Sequence, residues 1–390
     1  MYTSGVAPYA YSNPWDVSFE QRIDLLTRGK YRVAYYYATP DTSTFRYRAY
    51  NVSQALALGP EESIVSASWF TARDFERMGR VLDSCDALVL CRNSLYNSKV
   101  ARLAARARTL GRRIYFDVDD LVFDPSYTHL LMDTLNVDLN NDGVWDYWHA
   151  YIGRAGATFQ LADAAIVTNE FLAARAWEWS GKEAKILPNF YNKEQGDISG
   201  EIWKCKERDL WSRDDSIHLA YFSGSPSHDR DFSLIADPVA RIMDFDSRVR
   251  LTIVGFLNNA TSLSRHSDRV TILSLKDFVN LQREIGAVEI NLVPLQDNLF
   301  TNCKSELKYF EAAIVGALTV ASPTHAYRNA IKQGENGFLS AAHKWEETLE
   351  HVISLFDSGS QREIICRSRQ HAIAQYDWRS QKEKIESIFL

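Results

Sequence analysis

The sequence places a cation and a carboxylate one helical turn apart. Lys308 and Glu311 are separated by three positions, in a segment of helical composition that ends at Gly316 before the small, apolar run 318–322. Residues at this spacing share one face of a helix, and the first turn of a helix favours anions. The pair therefore predicts a site in which Lys308 contacts a diphosphate and Glu311 accepts hydrogen bonds from ribose hydroxyls. The alternative is a solvent-exposed Lys/Glu pair on an ordinary amphipathic helix.

A second candidate is the turn at Gly224. Residues 217–222 predict a buried strand, and Gly224 and Ser225 follow it before a helical segment that carries Arg230. Small residues let backbone N–H groups approach a phosphate, and a guanidinium adds a charge-assisted hydrogen bond. The turn is therefore a candidate phosphate contact, unless it is only a strand-to-helix connection.

An acidic cluster follows another predicted strand, at the edge where parallel sheets bind ligands. It contains Asp117, Asp119 and Asp120. As a D-x-D site, Asp117 and Asp119 would hold Mg²⁺ or Mn²⁺ against a diphosphate. In a phosphatase that resembles the haloacid dehalogenases, Asp117 would be the nucleophile and Asp119 the acid or base. In a third interpretation the cluster faces an acceptor across a cleft, and a purely structural capping role is the fourth.

Two basic features belong to the first half of the chain. Arg46 and Arg48 follow the first predicted strand and would face the same cleft, although they could equally be surface charges at the start of a helix. The segment 99–113 holds six basic residues and no acidic one. Such a helix can rest on an anionic membrane, but it is more often a solvated face. Its basic residues are Lys99, Arg102, Arg106, Arg108, Arg112 and Arg113.

Composition limits the classes of protein that fit. A chain of 390 residues is long enough for two domains, and its net charge of −6 argues against nucleic acid as a partner. The five cysteines lack a C-x-x-C pair, which indicates reduced thiols rather than a disulfide framework or a zinc site. No apolar run approaches the roughly 20 residues that span a bilayer. We therefore expect a cytoplasmic protein, with any membrane contact at the inner face.

Apolar strand-like runs alternate with helical windows in both halves, which predicts parallel sheets in an α/β fold. A polar stretch separates the two halves and predicts a linker at 193–216. The predicted strands are 32–38, 62–66, 87–91, 113–118, 164–168 and 185–187 in the first half, and 217–222, 248–255, 269–273, 288–294 and 318–321 in the second.

The segment from Lys308 to Gly316, with Asn336-Gly337 downstream, resembles the donor-binding block of GT-B glycosyltransferases of the family-4 type, particularly those of bacterial polysaccharide and O-antigen synthesis. Pro188-Asn189 and Tyr376-Asp377-Trp378 are similar to other landmarks of that family. The resemblance implies two Rossmann-like domains that face a cleft. An extension (1–30) would precede the acceptor domain (31–192), and the linker would lead to the nucleotide-sugar domain (217–375). A C-terminal helix within 376–390 would cross back to the first domain.

The resemblance also implies an activity: transfer of a hexose or deoxyhexose from a nucleoside-diphosphate sugar to a polysaccharide or lipid-linked glycan. The anomeric configuration would be retained, and no metal or other cofactor would be needed. Arg230 and Lys308 would neutralise the leaving diphosphate, and Glu311 would hold the ribose. Aspartates 117, 119 and 120 would face the acceptor together with Arg46 and Arg48, and the first two aspartates would take part in catalysis.

Two positions depart from the family pattern. Ser225 stands where the family carries an arginine, so Lys304 or Lys308 is expected to compensate, and Cys303 replaces the usual glutamate eight residues before Glu311. These departures leave two rival functions open: a D-x-D phosphatase or transferase, and a non-catalytic module that binds glycans or sugar nucleotides, in company with other glycan-assembly proteins.

Overall fold

Two six-stranded parallel sheets, each with helices on both faces, form the framework of the computed structural model. The structure describes residues 1–3, 5–59, 62–135, 137–224, 229–255 and 261–390. The first sheet has the order β2-β1-β3-β4-β5-β6. Its strands are β1 (Tyr31–Tyr36), β2 (Val65–Phe70), β3 (Ala87–Cys91), β4 (Arg113–Asp117), β5 (Ala164–Val167) and β6 (Ala184–Ile186).

The second sheet has the order β12-β11-β10-β7-β8-β9. All of its strand pairs are parallel, as in the first sheet, which confirms the predicted α/β class. Its strands are β7 (Ile217–Ser223), β8 (Val249–Gly255), β9 (Val270–Leu273), β10 (Ile290–Val293), β11 (Leu318–Ala321) and β12 (Phe338–Leu339).

Helices cover both sheets. Those of the first half are α1 (Phe19–Leu26), α2 (Asn51–Leu58), α3 (Met78–Ser84), α4 (Ser98–Thr109), α5 (Thr128–Thr134), α6 (Asp142–Gln160), α7 (Glu170–Ser180) and α8 (Lys193–Arg208). Those of the second half are α9 (Asp229–Phe245), α10 (Phe278–Ala287), α11 (Leu299–Asn302), α12 (Leu307–Ala313), α13 (His325–Ala330), α14 (Trp345–Ser358), α15 (Gln361–Tyr376) and α16 (Lys382–Phe389). Within the described residues, no helix is long and apolar enough to cross a membrane.

The predicted strand at 62–66 is wrong in its placement, because β2 begins at Val65 and continues to Phe70. Serines interrupt the apolar pattern of this strand. Ser66 and Ser68 are nevertheless buried, and the Ser66 hydroxyl donates a hydrogen bond to the Leu26 carbonyl of α1. The serines break the apolar run by which a buried strand is predicted, although the N-terminal segment covers the second face of this strand.

The polar segment between the two sheets begins with helix α8. Lys206, near its end, is fully buried and donates hydrogen bonds from Nζ to the carbonyls of Val315 (2.8 Å) and Gly316 (3.1 Å). Gly316 adopts a left-handed backbone (φ 73°), and a Cβ there would lie 2.6 Å from the Trp211 ring. A glycine is therefore required here. The segment fixes the C-terminal end of α12, the helix that carries Lys308 and Glu311.

Residues 1–30 connect the two domains. The Tyr2 N–H donates to the Ala287 carbonyl of the second domain, and Trp15 packs between Phe45 of the first domain and Phe278 of the second. Helix α1 then covers β2, where Arg22 forms a buried ion pair with Asp74. The segment is a strap across the domain boundary, not a loose extension.

The C-terminal helix returns to the first domain, as the resemblance implied. In α16 the Glu386 carboxylate accepts hydrogen bonds from the Ser63 hydroxyl (2.7 Å) and the Ile64 N–H (2.8 Å). The Phe389 ring packs edge-on against Tyr115, with centroids 5.3 Å apart. The N-terminal residues, which lead into the first domain, therefore contact the second domain. The C-terminal helix, which follows the second domain, contacts the first.

Truncation of Trp15 tests the strap. Because Trp15 is 4% exposed and contacts both domains, Trp15→Ala should lower the free energy of unfolding by about 3 to 5 kcal/mol. Urea unfolding followed by circular dichroism would measure the change. Trp177→Ala is the control, since that ring is 59% exposed and its loss should have little effect. Equal stability of the two variants would show that the strap does not contribute to folding.

Candidate active site

The carboxyl ends of the two sheets face each other, and side chains from both domains meet between them. Asp120, just after β4, lies 3.6 Å from the Nζ of Lys304 in the second domain. The Asn189 amide, after β6, donates to the Ser305 hydroxyl at 2.9 Å. Loops at this edge of a parallel sheet are where α/β proteins bind ligands. The cleft therefore contains most of the predicted site residues.

Lys308 and Glu311 lie on α12, as predicted. The Nζ of Lys308 lies 5.3 Å from the centroid of the Tyr221 ring on β7. Burial lowers the pKa of Lys308 to about 8, although the nearby Asp231 opposes the change. The ammonium group is therefore still largely protonated at neutral pH, and an anion beside it would favour its charged form further.

Glu311 is buried and already has three hydrogen-bond donors. Its Oε1 accepts from the Tyr47 hydroxyl (2.5 Å), the Gln195 amide (3.0 Å) and the Arg46 guanidinium (3.4 Å). Burial raises the pKa of Tyr47, and the Glu311 carboxylate raises it further, so the phenol keeps its proton and donates it. Groups of the first domain thus occupy the carboxylate that was predicted to hold a ribose.

Arg46 and Tyr47 reach Glu311 from a π-helical turn, Arg46–Tyr50, which precedes α2. Short π-helical turns are frequent at functional sites. The Arg46 guanidinium lies over the rings of Tyr47 (4.0 Å) and Phe278 (4.7 Å). Its Nη1 atom is buried without a hydrogen-bond partner among the described residues. Arg46, which was predicted to face the acceptor, thus contacts Glu311 and has an unused donor beside it.

The prediction that Asp117 and Arg48 contact the acceptor is not supported by their geometry. Both side chains are at most 1% exposed, and they form a bidentate pair at 2.8 and 3.1 Å. Arg48 also donates to the Leu187 carbonyl and the Asn189 side chain. Burial raises the pKa of Asp117 to about 6, although Arg48 opposes the change. Every polar group of the pair is satisfied within the core, so we assign it to positioning the β4 and β6 ends.

Asp119 and Asp120 are the members of the acidic cluster that reach the cleft. A single nitrogen of Arg92 donates to both carboxylates, at 2.8 and 2.9 Å, and the Thr44 hydroxyl donates to Asp119. Burial opposes the charge on Asp120, but Lys304 and Arg92 lower its pKa. Arg92 was not among the predicted site residues, although it directly follows β3, and a cation at a strand end is the signal that could have identified it.

Arg230 lies at the start of α9 and forms an ion pair with Asp133 of α5, across the domain boundary. Gly224 is exposed at the end of β7, as predicted, and Ser225 lies outside the described residues. The structure therefore places Arg230 at the cleft. Its contact with a phosphate remains a prediction.

The basic segment 99–113 forms α4 and the turn after it, and much of its charge is engaged within the protein. Arg106 pairs with Asp83, Arg108 donates to the Leu161 carbonyl, and Arg112 donates to the Leu82 carbonyl. Lys99 and Arg102 lie over the Phe75 ring. These contacts favour a helix face that belongs to the fold, and contact with a membrane stays a prediction.

The described residues contain no group of three or more His, Cys, Asp or Glu side chains that could hold a metal ion. The three clustered aspartates each have a basic partner instead: Arg48 for Asp117, Arg92 for Asp119, and Arg92 with Lys304 for Asp120. These cations occupy the oxygens that a D-x-D site would offer to a cation.

Comparison with known proteins agrees with this architecture. Residues 218–358 match the family described as Glycosyl transferases group 1. HepE from Anabaena, solved with UDP, superposes with a TM-score of 0.60 over 91% of this chain and 98% of that protein, at 13% identity. The chain has the GT-B fold. Residues 218–358, in the second half of the chain, resemble group 1 glycosyltransferases, and this match and the fold together support a glycosyltransferase.

Two other solved structures show the same fold. Sucrose-phosphate synthase from Thermosynechococcus elongatus gives a TM-score of 0.60 at 14% identity, covering 92% of this chain and 98% of that protein. A glycosyltransferase from Rickettsia africae gives 0.59 at 11% identity, with 92% and 97% covered. No curated protein sequence gives a significant match.

Substitution of Asp117 separates a structural role from a catalytic one. Asp117→Asn leaves the buried Arg48 charge without its partner, and the free energy of unfolding should fall by about 3 kcal/mol or more in a urea titration. Asp83→Asn is the matched control, because its ion pair with Arg106 is exposed and should contribute little. An Asp117→Asn protein with wild-type stability and no activity would show that Asp117 has a catalytic role instead.

Proposed function

We propose that the protein transfers a sugar from a nucleoside-diphosphate sugar to a glycan or lipid-linked glycan acceptor, with retention of the anomeric configuration and without a metal ion. The observation that carries the proposal is the placement of Lys308 and Glu311 on α12, at the carboxyl edge of the second sheet, facing the first domain. The group 1 family match over this domain supports it. So does the presence of UDP in the structure of HepE, a protein of the same fold.

In this proposal the second domain holds the donor. Lys308 and Arg230 stabilise the negative charge that grows on the diphosphate as the glycosidic bond breaks, and Glu311 accepts hydrogen bonds from ribose hydroxyls. Lys304 and Arg46 supply further positive charge at the same edge of the cleft. Side-chain cations can fulfil the role that a divalent ion has in D-x-D enzymes. The donor phosphate would assist removal of the acceptor proton.

The first domain holds the acceptor in this proposal. Asp119 and Asp120 are partly exposed, whereas Asp117 is enclosed. Their carboxylates can orient sugar hydroxyls while Arg92 keeps them in place.

The three donors on Glu311 give the proposal a further requirement. Glu311 is 4% exposed and its Oε1 already accepts three hydrogen bonds, so a ribose hydroxyl that donates to this oxygen must displace a donor such as Tyr47 or Arg46. Both of these residues belong to the first domain. Donor binding should therefore be coupled to a change in the contact between the domains.

Two substitutions at this contact should have opposite effects. A thermal-shift screen with UDP, GDP, dTDP and CMP first selects the nucleotide, and calorimetry then gives its Kd. Glu311→Gln should weaken binding by roughly tenfold, since it removes a charged acceptor, and Tyr47→Phe should strengthen binding by a similar factor, since it removes a competing donor. Tyr50→Phe is the control, because it loses a comparable phenol–carboxylate hydrogen bond, to Glu194, at the end of the same π-helical turn.

Each other outcome has a distinct meaning. Unchanged affinity in Glu311→Gln would place the donor site elsewhere. Weaker binding in Tyr47→Phe would show that the phenol assists the donor rather than competes with it.

Metal dependence distinguishes the main rival. Because Lys308 and Arg230 are proposed to stabilise the diphosphate, transfer of radiolabelled sugar should keep most of its rate in excess EDTA. A D-x-D enzyme would lose its activity and regain it with Mg²⁺ or Mn²⁺. Metal-reversible loss of transfer would therefore overturn this part of the proposal.

A further inference from the structure

Helix α6 has an apolar stripe that the fold leaves partly uncovered. Val144, Tyr147, Trp148 and Tyr151 lie at positions i, i+3, i+4 and i+7, the spacing of a buried helix face. The same stripe continues into residues 152, 155 and 159, which are buried. In the N-terminal half of α6, by contrast, Tyr147 is 63% exposed, and Val144, Trp148 and Tyr151 are only partly buried.

The C-terminal half of α6 is held in place by packing against the first domain, which fixes the position of the more exposed N-terminal half. The Phe159 ring stacks on Phe116 of β4, with centroids 4.8 Å apart. Gly156 packs so closely on the loop after the acidic cluster that a Cβ would lie 2.2 Å from the Phe123 carbonyl oxygen. The aromatic residues beyond this anchor contact one another: Tyr147 packs edge-on against Trp148, and Trp148 against Tyr151, at 5.1 and 5.7 Å.

This aromatic surface, Tyr147, Trp148 and Tyr151, adjoins the acceptor side of the cleft. The next helix back in the chain, α5, contacts α6 and pairs with the second domain through Asp133 and Arg230. Burial opposes the charge on Arg92, yet Asp119, Asp120 and then Tyr151 raise its pKa above the usual range. The Tyr96 N–H donates to the Arg154 carbonyl of α6 at 3.1 Å, so α6 lies beside the loop that begins with Arg92, and Tyr151 lies near the guanidinium that holds both cleft aspartates.

The charge around the aromatic surface selects its occupant. Between residues 125 and 154 the chain carries four aspartates and a single arginine, Arg154, and one of the aspartates, Asp133, pairs with Arg230. An anionic membrane would be repelled by such a surface. Aromatic rings that expose one face beside carboxylates suit a ligand with apolar C–H faces and many hydroxyl groups, because the rings pack on the former and the carboxylates accept from the latter. A neutral glycan has this chemistry, and an anionic one does not.

We propose that Tyr147, Trp148 and Tyr151 form a binding surface for neutral sugar units of the acceptor, beyond the unit that sits at Asp119 and Asp120. This inference rests on the proposed function, since it assigns the acceptor class of that site. Sugar rings pack against the aromatic side chains, and the adjoining carboxylates accept their hydroxyl hydrogens. The acceptor is therefore a glycan of at least two units with a neutral segment, rather than a single sugar or an anionic polymer.

An oligosaccharide array and matched variants test the surface. The full-length protein would be applied to an array of neutral, amino and acidic oligosaccharides, and to phosphatidylglycerol vesicles. Tyr147→Ala should reduce binding to the neutral oligosaccharides about fivefold, since an aromatic contact of this kind contributes on the order of 1 kcal/mol. Tyr147→Phe should keep the binding, because it retains the ring. Trp177→Ala removes an exposed aromatic residue of α7 and should have no effect.

Calorimetry with UDP on the same samples separates this inference from the proposed function. Wild-type binding of neutral glycans that Tyr147→Ala loses, with UDP affinity unchanged, supports the surface. Unchanged glycan binding in Tyr147→Ala overturns it, as does a preference for acidic glycans, Tyr147-dependent binding to the vesicles, or no glycan binding by a protein that still binds UDP. Binding of neutral glycans through Tyr147 without any nucleotide binding would retain the surface and reject the donor site.

Discussion

The arrangement of the two domains depends on one buried carboxylate. Glu311 belongs to the second domain, but its hydrogen-bond donors come from the first domain and from the helix that joins the two. A buried carboxylate without such donors would be strongly destabilising. The requirement fixes how α12, the π-helical turn and α8 sit together, and it also places the contact between domains at the residue proposed to hold the donor. The hydrogen bonds that stabilise the Glu311 carboxylate therefore also control whether a nucleotide can reach it.

The other charges of the cleft follow a similar rule. Asp120 faces Arg92 and Lys304, Arg230 faces Asp133, and Asp119 faces Arg92. Two of these pairs, Lys304 with Asp120 and Arg230 with Asp133, join opposite domains. Partly exposed ion pairs are weak and exchangeable, so a charged substrate can replace one partner at low cost. The Arg48–Asp117 pair is different because it is fully enclosed, and it serves the framework on which the exchangeable pairs are arranged.

Much of this organisation could be predicted from the sequence, since apolar strand runs and turn residues are local signals. The strand Ala87–Cys91 and the Lys308/Glu311 pair needed only periodicity and spacing. The roles of Asp117 and Arg48 could not be separated from that of Asp119, because which of two neighbouring carboxylates is enclosed depends on packing between β4 and the π-helical turn. Two of the three donors to Glu311, Tyr47 and Arg46, lie 264 and 265 residues away in the chain, and no local sequence pattern predicts such contacts.

The N-terminal strap has a consequence for the order of folding. The Tyr2 N–H donates to the Ala287 carbonyl, so the ribosome must add about 285 further residues before this contact can form. At ribosomal rates of roughly 5 to 20 residues per second, that interval is on the order of 15 to 60 s. During that time the first domain can assemble its sheet with α1 on β2, but the contacts of Tyr2 and Trp15 with the second domain form only later. Closure of the strap is thus a late, high-contact-order event, and a nascent chain interrupted before β10 would expose a tyrosine-rich segment to chaperones.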